Sequence, residues 1–166
     1  MTALAGLRPD VAARLVRGRG PRDEVEAATR WLVERHADGH PWRDLALVVP
    51  GKRKWRDPIA AVFDAHRVPH RMLVGHPGAV PSYDDDLLHA MSLHTAIATT
   101  HPVVAIVGLG DLPWKQQSLD EATSLVEAAV ASATAHLFVS WSKASSLTAA
   151  LLPADAASDA SDAGLR

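Results

Sequence analysis

The sequence predicts an α/β protein whose mainly parallel sheet is flanked by helices. Two short runs, Leu45–Val49 and Val103–Val107, are wholly apolar, as strands buried on both faces are. Segments with apolar residues at helical spacing separate the predicted strands, and strands that alternate with helices favour parallel pairing. The chain of 166 residues is of the size of one domain and shows no internal repeat.

The first half of the chain is predicted to hold a helix, a strand, a second helix and a second strand. The first helix can begin at Asp23 or Pro21 and end at Gly39, and its apolar residues recur every three or four positions. Pro58 suits the first turn of the second helix. In chain order these elements are predicted over Asp23–Ala37, Leu45–Val49, Pro58–His66 and Val68–Val74.

The second half is predicted to begin with a loop over Gly75–Tyr83, which holds two glycines and two prolines. The next segment, Leu87–Leu93, fits a helix or a strand by its pattern. Ser118 followed by Glu121 has the sequence of a capping box, so a helix is predicted to begin there. The remaining elements are predicted as strand Val103–Val107, helix Ser118–Ala135, strand His136–Ser140 and helix Ala144–Leu152.

Length and composition indicate one domain with a real core, since the chain has 166 residues and 48% of them are hydrophobic. Residues 1–20 are predicted to be an N-terminal extension, residues 21–152 the domain, and residues 153–166 a disordered tail rich in Ala, Ser and Asp. The absence of Cys excludes disulfides, a thiolate nucleophile and Cys-based zinc sites. No apolar run is long enough to span a membrane, and no secretory signal is recognised, so a cytoplasmic protein is predicted.

Charge is distributed unevenly along the chain. The net charge of -2 excludes a uniformly basic protein that grips nucleic acid by bulk electrostatics. A local basic patch can still neutralise a few phosphates. Two such clusters occur, one of Arg14, Arg17, Arg19 and Arg22 and one of Lys52, Arg53, Lys54 and Arg56.

Ser92-Leu93-His94 followed by Pro102-Val103-Val104 is similar to the two ends of the pattern T-L-H-x-A-K-G-L-E-F-P-x-V. That pattern is motif V of UvrD/Rep-type superfamily 1 helicases, which this segment therefore resembles. Further segments resemble other family motifs in the same order, over roughly residues 21–142. These segments are Asp23–Ala28 for the opening helix, Trp42–Val49 with Arg56 for motif IV, Val68–His70 for the turn after it, and Asp120–Ala133 for motif VI.

The resemblance implies a RecA-like, P-loop NTPase-like fold, namely that of the C-terminal helicase domain, and a place in DNA repair. The large subdomain that the family inserts between motifs IV and V is missing, since only Gly75–Asp86 bridges that gap. The chain would therefore be a trimmed and degenerate form of the domain.

Several residues differ from the family pattern at positions that the family uses to bind or hydrolyse ATP. Ser132 stands where motif VI has the arginine that reaches the γ-phosphate, and Thr100 stands where motif V has its glutamate. A hydroxymethyl group lacks the charge and the donor fork of a guanidinium. No Walker A loop occurs anywhere, and Gly108-x-Gly110 lacks the third glycine and the lysine. The chain alone is therefore predicted to be catalytically inactive, with no catalytic residue and no cofactor.

Two groups of residues are candidates for nucleic-acid binding. Ser92 and His94 match positions that the family uses beside single-stranded DNA, where a hydroxyl and an imidazole can bind phosphate oxygens. The alternative is that His94 is a structural histidine at a strand end. The second group is a basic segment that consists of Lys52, Arg53, Lys54, Trp55 and Arg56. It combines positive charge with an aromatic ring, as single-strand binders do. The alternative is a solvated loop whose tryptophan is tucked against the next helix.

Metal binding and hydrolase chemistry find little support. Nine His are present, but Gly39, Pro41 and Pro69 interrupt the two His-x-x-x-His pairs, so neither can present both rings from a helix. The run Asp84–Asp86 is better explained as a solvated helix start, and no nucleophile elbow of a Ser-His-Asp hydrolase occurs.

The sequence therefore predicts a nucleic-acid-binding or protein-docking module, with single-stranded DNA as the candidate ligand. The alternative is a fragment or subunit of a split ATP-dependent DNA helicase, completed by a Walker-containing partner.

Overall fold

The computed structural model describes residues 4, 6–51, 53–76 and 78–154. Its strands are β1 (Ala12–Arg17), β2 (Leu45–Val49), β3 (His70–Met72), β4 (Leu88–Ser92), β5 (His101–Ile106) and β6 (Ala133–Trp141). Its helices are α1 (Pro21–Ala37), α2 (Arg56–Ala65), α3 (Leu93–Ala96), α4 (Leu119–Ala131) and α5 (Ser146–Leu151).

The six strands form one sheet in the order β1-β6-β5-β2-β4-β3, and every neighbouring pair is parallel. The predicted α/β class, with a parallel sheet in a single domain, is confirmed. Because all strands run the same way, their carboxyl ends share one edge of the sheet and their amino ends share the other. This polarity decides which motif-like segments lie close together.

Helices cover both faces of the sheet, which gives three layers. Helices α1 and α2 pack on one face through Leu32 and Phe63, against inward residues such as Leu47. Helices α3, α4 and α5 pack on the other face, where Val126 lies against Val104 and its neighbours. The middle strands β2 and β5 are thus buried on both sides, which explains their wholly apolar sequences.

Several element boundaries differ from the predictions. Strand β1 lies within residues predicted as an extension, and its mixed sequence gives no strand signal because much of it is exposed at the sheet edge. Strand β3 is shorter than Val68–Val74, while Leu87–Leu93 resolves as a strand followed by the start of α3. Helix α4 has the predicted capping box at Ser118 and Glu121 but ends four residues early. It stops because β6 already begins at Ala133.

Lys52 of the basic segment and residues 155–166 of the predicted tail lie outside the described residues. Among the residues that are described, no helix combines the length and the apolar character needed to cross a membrane.

Candidate functional site

The chain leaves neighbouring strands β2 and β4 toward opposite faces of the sheet. After β2 it enters α2 on one face, and after β4 it enters α3 on the other. Such a divergence opens a crevice outside the carboxyl ends of the strands, where α/β proteins commonly bind ligands. Gly51 follows β2 and Ser92 ends β4, so both border this crevice.

A cleft of about 370 Å³ occupies this position. Ser92 caps the short helix α3, since its Oγ accepts a hydrogen bond from the Thr95 backbone N–H at 3.3 Å. His94 follows on the first turn of α3 and is exposed. The two candidates from the motif V resemblance therefore lie in one cleft. Its lining residues are Gly51, Leu73, Gly75, His76, Gly78, Ser92, His94, Thr95 and Trp114.

Trp114 is a residue of this site that the sequence analysis missed. Its ring stacks on that of His94, with 5.5 Å between centroids and 15° between planes. Its indole nitrogen is buried and has no hydrogen-bond partner among the described residues. Trp114 lies on the connection from β5 to α4, twenty positions beyond His94, so only the fold brings the two rings together. The signal that the sequence offered was a tryptophan in the segment that follows a predicted buried strand.

The basic segment lies beside the cleft but is partly neutralised. Lys54 Nζ is 2.6 Å from Oδ2 of Asp111, and Lys143 Nζ is 3.4 Å from Oδ1 of the same carboxylate. Burial of Asp111 opposes its ionisation, but the hydrogen bonds and charge of Lys54, Trp55 and Lys143 together outweigh burial and lower the pKa of Asp111. Arg53 is exposed and Arg56 is half-buried at the start of α2. Among the described residues of this segment, Arg53 is thus exposed and, unlike Lys54, forms no ion pair with another described residue.

Trp55 is buried, contrary to a role in base stacking from this position. Its Nε1 donates to Asp111 Oδ2 at 3.1 Å, and its ring packs in the core beside α1 and α2. The indole also lies against Gly108, whose φ of +78° and lack of a side chain make room for it. The alternative left open by the sequence, a tucked tryptophan, describes this placement.

A buried carboxylate fixes the framework behind the site. Glu24 on α1 accepts hydrogen bonds through Oε2 from the Gly108 N–H at 2.7 Å and from the Ser140 hydroxyl at 2.8 Å. Burial raises the pKa of Glu24 despite these hydrogen bonds. The residue therefore ties the first turn of α1 to the carboxyl ends of β5 and β6.

The positions aligned with ATP chemistry lie at the opposite edge of the sheet. Thr100 precedes β5 and Ser132 precedes β6, so both lie at amino ends of strands. Ser132 is buried, its hydroxyl donates to the Ala129 carbonyl at 2.6 Å, and its own carbonyl accepts from the His101 N–H at 3.0 Å. Ser132 therefore caps the carboxyl end of α4 in this structure.

Within the described part of the chain, no group of three or more His, Cys, Asp or Glu side chains is placed to hold a metal ion.

No protein-family model and no curated protein matches this chain. Its structure is similar to the C-terminal domain of a possible DNA helicase from Lactobacillus plantarum WCFS1, with a TM-score of 0.61 and 11% sequence identity. The match covers 86% of this chain and 80% of that chain. At this identity the likeness shows the fold alone, a parallel sheet flanked by helices that is consistent with a RecA-like domain.

Proposed function

We propose that this chain is a degenerate UvrD-like helicase C-terminal domain that binds single-stranded nucleic acid in the carboxyl-edge cleft and does not hydrolyse ATP by itself. The observation that carries the proposal is the convergence of Ser92, His94 and Trp114 in one cleft. These residues come from two separate segments and provide different chemistry.

Each group suits a different part of a single strand. The Ser92 Oγ already accepts from the Thr95 N–H and lies 3.2 Å from Thr95 Oγ1, so Ser92 can offer a phosphate oxygen only its hydroxyl hydrogen. The imidazole of His94 can bind a second phosphate oxygen, and such contacts position a strand without selecting its sequence. The stacked rings of His94 and Trp114 offer an aromatic surface to a base, and base stacking tolerates any sequence. Exposed Arg53 and Lys115 supply positive charge near these groups. We therefore expect weak, sequence-independent and salt-sensitive binding.

The absence of ATP hydrolysis rests on the sequence. No Walker A loop exists to cradle phosphates, and Ser132 replaces the arginine of motif VI. Ser132 is also packed against the end of α4, so Ser132→Arg would meet a filled site and still lack a phosphate cradle. We expect no ATPase activity from the wild-type chain or from this variant.

Binding of a labelled oligothymidylate at low salt, followed by fluorescence anisotropy, tests the proposal. Alanine substitution of a stacking residue costs about 1 kcal/mol or more per base, so His94→Ala and Trp114→Ala should each weaken binding roughly fivefold or more. Arg56→Ala should weaken it and flatten the dependence of log affinity on log salt by roughly 0.7 per lost contact. Thr100→Ala, an exposed substitution at the other edge, is the control and should bind like the wild type. If His94→Ala, Trp114→Ala and Arg56→Ala all bind the oligonucleotide with the affinity of the wild type, the proposal is overturned.

Docking to a Walker-containing protein is the second candidate, because two apolar side chains are exposed on segments that border the cleft. Val80 is 77% exposed on the β3–β4 connection, and Ile97 is 45% exposed just after α3. A partner could cover both. Failure to bind the oligonucleotide at low salt, with recovery of a Walker-containing protein in a pull-down that Ile97→Asp abolishes, would favour docking over strand binding.

A further inference from the structure

Strand β1 forms one end of the sheet and is paired on one side only. Its six residues align with His136–Trp141 of β6, and no described residue pairs with its outer edge. The Gly18 N–H donates to the Trp141 carbonyl of β6 at 2.9 Å. Because backbone groups alternate sides along a strand, the N–H and C=O groups of Ala13, Leu15 and Arg17 point away from β6. The outer edge thus presents a row of unpaired backbone groups, the template that an additional strand needs.

A groove runs alongside this edge, between β1 and α1. It consists of two cavities of about 190 and 280 Å³, both lined by Arg14 and Trp31. The floor is apolar, since Trp31 and Phe138 are buried there and Val16 is half-buried. Helix α1 therefore leaves part of the β1 surface uncovered, with room for side chains beside the open backbone edge.

The rim of the groove is positively charged. Arg14 lines both cavities, is exposed and forms no ion pair with any described residue. Arg17 is also exposed and without such a pair, but alternation along β1 places its side chain on the opposite face of the sheet. Arg30 and Arg35 also lie on the rim, but Glu26 and Asp38 neutralise them at 3.1 Å. The uncompensated charge therefore belongs to β1 itself, which favours an acidic ligand.

Two other occupants fit less well. Antiparallel pairing of β1 with a second copy would bring the arginines of both strands close together, and like charges across a ladder are destabilising. A nucleic acid could use Arg14 and Arg17, but it would leave the outward N–H groups and the apolar floor unused.

We propose that the β1 edge binds an acidic, extended segment of another protein, which adds as a seventh strand to the six-stranded sheet and places apolar side chains in the groove beside α1. Backbone hydrogen bonds provide the affinity in this mode of recognition, and the pockets beside the edge provide the specificity. The surface is separate from the carboxyl-edge cleft and does not depend on nucleic-acid binding.

A labelled, capped peptide of repeating Leu-Thr-Asp-Thr is the probe for this surface, because leucine and aspartate at every second position both face the groove and Arg14. Ala13→Pro removes one outward N–H without touching a hydrogen bond to β6, and proline is tolerated at such edge positions. Arg14→Glu reverses the rim charge on an exposed side chain and leaves the backbone intact. Each substitution should weaken binding of the peptide about tenfold. Lys115→Glu, the same charge reversal at the distant cleft, is the control and should change peptide affinity little.

The outcomes separate this surface from its competitors. Loss of peptide binding in Ala13→Pro and Arg14→Glu, with oligonucleotide binding unchanged, would support the proposal even if the cleft proves inactive. Peptide binding that both variants retain, or none by the wild type at low salt, would overturn it. A wild-type dimer in sedimentation that Ala13→Pro dissociates would assign the edge to a second copy instead. Loss of oligonucleotide binding in Arg14→Glu would assign it to nucleic acid.

Discussion

The two edges of the sheet differ in how they present polar groups. At the carboxyl edge, Ser92 and His94 line an open cleft and Trp114 stacks beside them. At the amino edge, His101 and Ser132 are buried, and each is bonded to neighbouring protein groups. Both edges are built on the same strands, so the difference arises from the side chains and connections at each end.

This contrast shows that one fold can leave polar side chains open to solvent at one edge of the sheet and bury them at the other. A polar group contacts a ligand only if its hydrogen-bonding capacity is not already used inside the protein. Ser132 uses its hydroxyl within α4, whereas His94 remains exposed beside the cleft. The carboxyl edge is therefore the candidate binding surface, and the amino edge is structural. Four predictions test this division, from the largest expected effect to the smallest.

The shared scaffold is the first test, since both edges depend on the central strand β5. Val104→Asp should abolish folding, because a carboxylate there has no partner and its burial costs several kcal/mol. That is comparable to the entire stability of a typical domain, roughly 5–15 kcal/mol. Near-UV circular dichroism and thermal melting measure the effect. A native-like spectrum with a cooperative transition would show that β5 is not central.

Gly108 tests how tightly the carboxyl edge is packed behind the cleft. Its φ of +78° disfavours a side chain, and a Cβ there would overlap the Trp55 ring and lie 3.0 Å from Pro50 Cδ. Gly108→Ala should therefore lower the free energy of unfolding by roughly 3 kcal/mol. Gly20→Ala is the control, since nothing lies within 4 Å of the position that its new methyl group would occupy. Equal stability of both variants in urea unfolding would contradict the packing of Trp55 against Gly108.

His101 tests whether the amino edge is closed to water. Burial lowers the pKa of His101 from 6.5 to about 4, and the charge of His89 adds to this effect. The folded protein thus prefers neutral His101, while the unfolded chain takes up a proton below about pH 6.5. Stability is fully present above that pH and falls as the pH drops toward 4.

The size of this acid effect follows from the two pKa values of His101. At about pH 5 the loss amounts to roughly 2 kcal/mol relative to neutral pH. His101→Gln, which cannot be protonated, should lose less stability between neutral pH and pH 5 than the wild type in urea unfolding. An unchanged pH dependence in this variant would mean that His101 is accessible to solvent.

Ser132 gives the smallest effect. Its hydroxyl donates to the Ala129 carbonyl at the end of α4, and a hydrogen bond of this kind contributes about 1 kcal/mol. Ser132→Ala should lower the free energy of unfolding by about that amount and leave oligonucleotide affinity unchanged. Weaker oligonucleotide binding by a fully folded variant would show that the amino edge takes part in binding.

Local patterns determined much of the fold. The wholly apolar run Leu45–Val49 identified a strand buried on both faces, and Ser118 with Glu121 marked the start of α4. The order of these elements also predicted a parallel α/β sheet. Such features depend on neighbours along the chain, so the sequence alone specifies them. Strand β1 escaped prediction for the same reason, because an exposed edge strand needs no distinctive pattern.

Only the tertiary structure decided which aromatic residue lies at the candidate site. By sequence, Trp55 stands among basic residues and Trp114 stands apart from them. In the fold, Asp111 accepts a hydrogen bond from the Trp55 indole, whose ring fills the space beside Gly108, whereas Trp114 reaches His94 from another strand connection. Exposure and contact between distant segments depend on how strands pair and where connections cross the sheet. The spacing of residues along the sequence does not specify strand pairing or the path of the connections, because both are properties of the packed chain.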